Sequence, residues 1–201
     1  MSDSMDDWKR EMEGLSDLKR ELRKHVECTE DVSRRLNNLE ISREEDQQHL
    51  RSGNLKISGI PEDCKNVYDV TIKIFEACGV QLQLDQIDVA HRVQSFNKTQ
   101  PRPVIVRLVS RWKKDALMER IYKDRKRLTT GQIGLGGADK PLYVNEHLTP
   151  YYDKLARQAR DLKKGGKVLY TWVRGGKVFI RKNESSPTIC VKSLSEINRF
   201  T

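Results

Sequence analysis

Leu55-Lys56-Ile57-Ser58-Gly59-Ile60 alternates apolar and polar residues as a half-buried strand does, and Pro61 ends it. Its place in a fold is set by the segments C-terminal to it. From Val67 to Cys78, apolar residues recur at Val67, Val70, Ile74 and Phe75 with helical spacing, and Gly79 stands where a helix stops. Ile87 to Val93 and Val104 to Val109 read as two more strands separated by a polar loop. Ser110 can cap a helix running through Trp112, Leu117, Met118 and Ile121 to about Arg127. Gly131 to Gly137 is expected to be a flexible connector, and Leu142-Tyr143-Val144 a fourth strand.

The resulting order, βαββαβ, is the ferredoxin-like split that RNA-recognition domains use, so residues 53–146 are expected to form an RRM-like unit. In such a sheet Leu55, Ile57, Val104, Val106 and Leu108 face the core, while Lys56, Ser58, Ile105 and Arg107 face outward. No aromatic platform is expected on that outer face. Contacts with nucleic acid there would rest on charge and hydrogen bonds, with weak selectivity among bases. The glycine-rich stretch lacks the Gly-Lys-Ser/Thr ending of a phosphate loop and follows a basic helix rather than a strand.

Residues 147–201 are expected to form a small basic α/β unit. Thr149 and Pro150 start a helix that runs to about Lys164, where Gly165-Gly166 stops it. Its apolar side is thin: Tyr151 or Tyr152, Leu155, Ala159 and Leu162. Lys167 to Val173 and Lys177 to Arg181 then form a hairpin around Gly175-Gly176, with a short strand over Thr188–Val191 and a last helix opened by Ser193. Tyr170 and Trp172 are two apart and share one strand face among Lys167, Arg174 and Lys177. They either stack on bases or pack inside so small a unit.

Residues 1–52 read as a coiled-coil helix. With Trp8 at heptad position a, the a series is Trp8, Leu15, Leu22, Thr29, Leu36, Arg43 and Leu50. The d series is Glu11, Leu18, His25, Val32, Leu39 and Asp46. A narrow apolar stripe of this length favours self-association through Leu15, Leu18, Leu22, Val32, Leu36 and Leu39. Arg35 and Glu40 flank the Leu36–Leu39 pair in the Arg-h-x-x-h-Glu pattern associated with three-stranded parallel coiled coils. A homotrimer is expected, with a homodimer as the alternative.

Charge narrows the partners. Residues 1–52 hold 10 Lys/Arg against 14 Asp/Glu, whereas residues 110–182 hold 19 against 7. A basic stretch of that strength points to a polyanion, and single-stranded RNA or DNA is the expected partner. The candidate contacts are Lys56, Arg107, Arg111, Lys113, Lys114, Arg125, Lys126, Arg127, Arg157, Arg160, Lys163, Lys164, Lys167, Tyr170, Trp172, Arg174 and Lys177. No apolar run is long enough for a membrane span and the start is no signal peptide, so a cytosolic or nuclear location and no membrane partner are expected. The four cysteines and four histidines are scattered without ligand spacing, so no metal and no cofactor are expected. Asp139, Glu146 and His147 are the nearest approach to a catalytic cluster, but acids are too sparse around them for a nuclease. An adaptor that docks acidic proteins is the competing non-enzymatic reading.

The sequence as a whole resembles the first open-reading-frame proteins of non-LTR (LINE-type) retrotransposons. The resemblance rests on Asn54 to Pro61, Ala90-His91-Arg92-Val93, Arg102 to Leu108, Tyr143 to Pro150 and the Tyr170–Arg181 hairpin. The last two are also similar to the C-terminal domain of baculovirus few-polyhedra proteins and their insect relatives. The resemblance implies a trimeric coiled coil, single-stranded nucleic-acid binding, chaperone activity and ribonucleoprotein assembly. At residue level it implies roles for Arg107, for Arg125-Lys126-Arg127 and for the cations around the helix after Pro150. The N-terminal helix is shorter than in many retrotransposon examples, which leaves a viral origin open.

Overall fold

The computed structural model describes residues 2–95, 99–124 and 127–200, with the side chains of residue 12 and of residues 14 onward in the first helix. Trp8 and Glu11 of the heptad series, and Arg125 and Lys126 of the candidate contacts, therefore lie outside what is described. The chain divides into two compact units, Met1–Glu45 and Asp46–Thr201.

The first unit is helical, the greater part of α1 (Ser2–Leu50). No proline interrupts it, and Glu, Lys and Arg dominate its surface. Leu15, Leu18, Leu22, Val32, Leu36 and Leu39 are all exposed, Leu39 at 68%. Thr29 turns its hydroxyl back to the His25 carbonyl at 2.7 Å, a local bond that satisfies it on the helix surface.

The second unit is mixed α and β. β1 (Asn54–Ser58), α2 (Val67–Ala77), β2 (Ile87–Arg92), β3 (Val104–Leu108), α3 (Arg111–Asp124), β4 (Leu128–Thr129) and β5 (Pro141–Glu146) build an antiparallel sheet in the order β2-β3-β1-β5-β4. Leu55, Ile57, Val104, Val106 and Leu108 face α2 and α3 and are buried, because alternate strand residues share a face. Ile105 departs from expectation. It lies on the opposite face yet is only 5% exposed, between its register partners Lys56 and His91. A bulge between Ile87 and Val89 turns Asp88 and Val89 both outward.

Two further expectations need correction. Gly131–Gly137 is not a flexible connector: Asp139 accepts the Gly131 N–H at 2.8 Å and Thr130 Oγ1 accepts the Lys140 N–H at 2.9 Å. Ile133 is buried in the core and Leu135 packs against it. Trp112, one of the apolar residues through which this helix was read, is 79% exposed. The buried face of α3 instead runs Lys114, Leu117 and Met118, which places a lysine at a core position.

The C-terminal part has its own core. Thr149 caps α4 (Pro150–Lys164) by accepting the Tyr152 N–H at 3.2 Å, and Pro150 fills the first position, which needs no donor. Tyr152, rather than Tyr151, joins Leu155, Ala156, Ala159 and Leu162 on the buried side. They pack on a sheet of β6 (Tyr170–Arg174), β7 (Lys177–Arg181) and β8 (Ile189–Val191), closed by α5 (Leu194–Asn198).

Candidate nucleic-acid interface

Strand alternation gives the β6-β7-β8 sheet two unlike faces. Val178, Ile180 and Val191 point at α4 and are fully buried. The other face carries every second residue: Tyr170, Trp172 and Arg174 on β6, and Lys177, Phe179 and Arg181 on β7. The register pairs Trp172 with Phe179, and their rings stack at 5.6 Å with planes 15° apart. Tyr170 is 40% exposed beside them, and Arg174 and Lys177 are exposed. Neither Tyr170 nor Trp172, which is half-buried against Phe179, belongs to the core of this unit.

Phe179 was missed by the sequence reading. Its signal was present, because a two-residue turn at Gly175-Gly176 sets Arg174 opposite Lys177 and hence Trp172 opposite Phe179. Both turn glycines have left-handed backbones, φ 62° and 75°, as this tight hairpin turn requires.

What fixes the hairpin is a buried polar joint. The Glu146 carboxylate, at the end of β5, accepts the Gly175 N–H at 2.8 Å and also the Gly176 N–H. Lys114 Nζ is 4.0 Å from Glu146 and 3.3 Å from Asp115, and its side chain is 1% exposed. Gln48, near the end of α1, accepts the Thr149 N–H at 2.8 Å and donates to the His147 carbonyl at 3.0 Å. The Tyr122 hydroxyl donates to the Val173 carbonyl at 3.0 Å. Burial of that hydroxyl end, reinforced by the Glu146 charge, pushes the Tyr122 pKa up to about 12.

The remaining expected contacts are not gathered at the hairpin. Lys114 is a correction: a buried, paired ammonium holds the joint and cannot meet a phosphate. Lys56 is half-buried on the outer face of the five-stranded sheet, and Arg107 on that face is ion-paired with Asp88. Lys113 is half-buried and donates to the Gln81 carbonyl at 2.7 Å, while exposed Arg111 lies 3.6 Å from Asp115. Arg157 pairs with Asp153 one turn away, and Arg160 donates to the Ala156 carbonyl at 3.1 Å. Arg127, Lys163, Lys164 and Lys167 are exposed. The sequence reading also missed Tyr143, which is 58% exposed on the outer face of β5, so that face carries one ring where none was expected. Its position in the alternation with buried Leu142 and Val144 gives it away.

Among the described residues, no group of three or more His, Cys, Asp or Glu side chains is placed to hold a metal ion. Nor, among them, is any helix long and apolar enough to cross a membrane.

An α+β protein with a capped basic helix packed under a three-stranded sheet, aromatic on its open face, is the class that fold and site define. Residues 149–201 match a family model described as Baculovirus FP protein domain 2. The match begins at the Thr149 cap and takes in α4, the aromatic hairpin, β8 and α5. It corresponds to the baculovirus-like part of the resemblance, whereas the retrotransposon part rests on the quoted motifs alone. No curated protein matches the chain.

Proposed function

We propose that this protein is a non-enzymatic, oligomeric single-stranded nucleic-acid-binding protein and chaperone that assembles ribonucleoprotein particles of a retrotransposon-type element. The observation that carries the reading is the open hairpin face, where Trp172 stacked on Phe179 and the neighbouring Tyr170 lie among Arg174, Lys177 and Arg181. Aromatic faces among cations suit a base and its phosphate together. The order β2-β3-β1-β5 supports an RRM-like use of the middle sheet, with Tyr143 and Lys56 on its outer face. The exposed leucine stripe of α1 supports a trimeric coiled coil. Joining heads in that way raises avidity by about 10²–10⁴-fold without new contacts.

The test is titration of the full chain into a fluorescent single-stranded RNA at several salt concentrations. Affinity should fall steeply with salt, since bound phosphates release counterions. Trp172→Ala should weaken binding roughly 5- to 150-fold, the equivalent of about 1–3 kcal/mol for one stacked base. Wild-type affinity in a Trp172→Ala and Tyr170→Ala double variant would remove the hairpin from the interface. Absence of binding by the parent chain at low salt would sink the reading in favour of the adaptor.

A further inference from the structure

We propose that Trp112 is a second stacking site, on the helical side of the middle unit, where the same single strand that binds the hairpin lays down another base. The inference rests on the function proposed above and adds a contact outside the hairpin.

Trp112 is 79% exposed, the most exposed of the large apolar side chains described. Helical spacing accounts for its position: the buried face of α3 is set by Lys114, Leu117 and Met118, and Trp112 falls on the outer side. One turn further along its own side, Ala116 borders a groove of about 500 Å³ between α3 and the segment after α2. Gly79, Val80 and Gln81 form one wall, and Glu119, Arg120 and Lys123 the other. An added Cβ at Gly79 would meet nothing within 4 Å, so the wall is open there. Lys113 ties the helix to this segment through the Gln81 carbonyl.

The chemistry of the surroundings selects the occupant. Residues 111–127 hold eight Lys/Arg against three Asp/Glu. Of these bases only Lys114 is buried in the joint among the described residues. The flat, exposed indole offers a π-face, and Arg120 and Lys123, exposed about two and three turns further along the same side with Glu119 beside them, offer counter-charge. A single strand supplies both a planar base and a phosphate. The groove also lies on the helix that reaches the hairpin, because Tyr122 at the far end of α3 bonds to Val173 of β6. Trp112 and Tyr122 are ten residues apart, so about 15 Å of helix separates the exposed indole from the point where α3 meets the hairpin strand.

The experiment uses the full chain and a single-stranded RNA of about 40 nucleotides, well beyond one site of about 4–16 nucleotides. Trp112→Ala should weaken binding about fivefold or more, and Trp112→Phe should restore most of it. In a Trp8→Phe, Trp172→Phe background, the one remaining tryptophan should be quenched as the RNA binds. Unchanged affinity and fluorescence at position 112, with Trp172→Ala still weakened, would overturn this inference and leave the hairpin reading standing. A blue shift on raising protein concentration without RNA would also overturn it, by assigning the patch to a second copy. If the parent chain binds no RNA, the function itself fails and takes the second site with it.

Discussion

Glu146 stands at the end of a strand, and its carboxylate serves three partners: the two N–H groups of the hairpin turn and the Lys114 ammonium. An isolated buried ammonium is strongly unfavourable, so Lys114 is tolerated because Glu146 and Asp115 compensate it. Glu146→Ala should therefore cost about 3–5 kcal/mol, read as a fall in the urea unfolding midpoint. Lys114→Met should also destabilise, because it leaves the buried Glu146 carboxylate without its cation, but by less, since Glu146 keeps both turn donors. His147 gives a prediction in pH. Burial first, and then the charges of Arg51, Lys56 and His91, hold its pKa down at about 4 against an ordinary 6.5. Between those values the unfolded chain binds a proton that the folded chain refuses. Its contribution to stability is thus full above about pH 6.5 and is lost as pH falls toward about 4. His147→Gln should shrink the difference in unfolding midpoint between about pH 7 and about pH 5.

At the scale of elements, caps and turns were legible. Thr149-Pro150, the Gly165-Gly166 stop and the Gly175-Gly176 turn all mark elements that the structure contains within a residue or two. These signals are local, so the sequence carries them without help. The glycine-rich loop was misread because its order comes from Thr130 and Asp139, whose bonds depend on β4 meeting β5. Lys114 was misassigned for a different reason. Residue type suggested a surface lysine, but the helical period through Leu117 and Met118 places it on the buried face and leaves Trp112 outside. The turn itself can be tested. Gly176 has φ 75°, and a Cβ there would come within 2.8 Å of the Gln48 amide nitrogen. Gly176→Ala should destabilise by about 1–3 kcal/mol. Adding Gln48→Ala should recover the crowding part while leaving the backbone strain, which a double-mutant cycle would separate. On α1, Leu36→Asp should lower the oligomeric state in sedimentation, because it puts a charge into the proposed seam.

At the scale of the molecule, the end of α1 is part of the folded unit that starts at Asp46, since Gln48 is buried in the joint beside Thr149. Removal of residues 1–45 should therefore spare the unfolding midpoint of the remainder. Removal of residues 1–52 should lower it, by about 1 kcal/mol or more for the lost buried hydrogen bonds. Similar midpoints for the two truncated chains would remove Gln48 from the joint. Sequence by itself determined the order of helices and strands except for the two-residue β4, together with the apolar stripe of α1 and the basic stretch, because periodicity, capping residues and charge are properties of neighbours along the chain. Tertiary structure alone decided which face of the hairpin carries Tyr170, Trp172 and Phe179, that Lys114 is a structural ion, and that Gln48 and Glu146 meet at the hairpin turn. Gln48 and Thr149 are 101 residues apart in the chain, and a hydrogen bond across such a separation exists only after the elements between have packed.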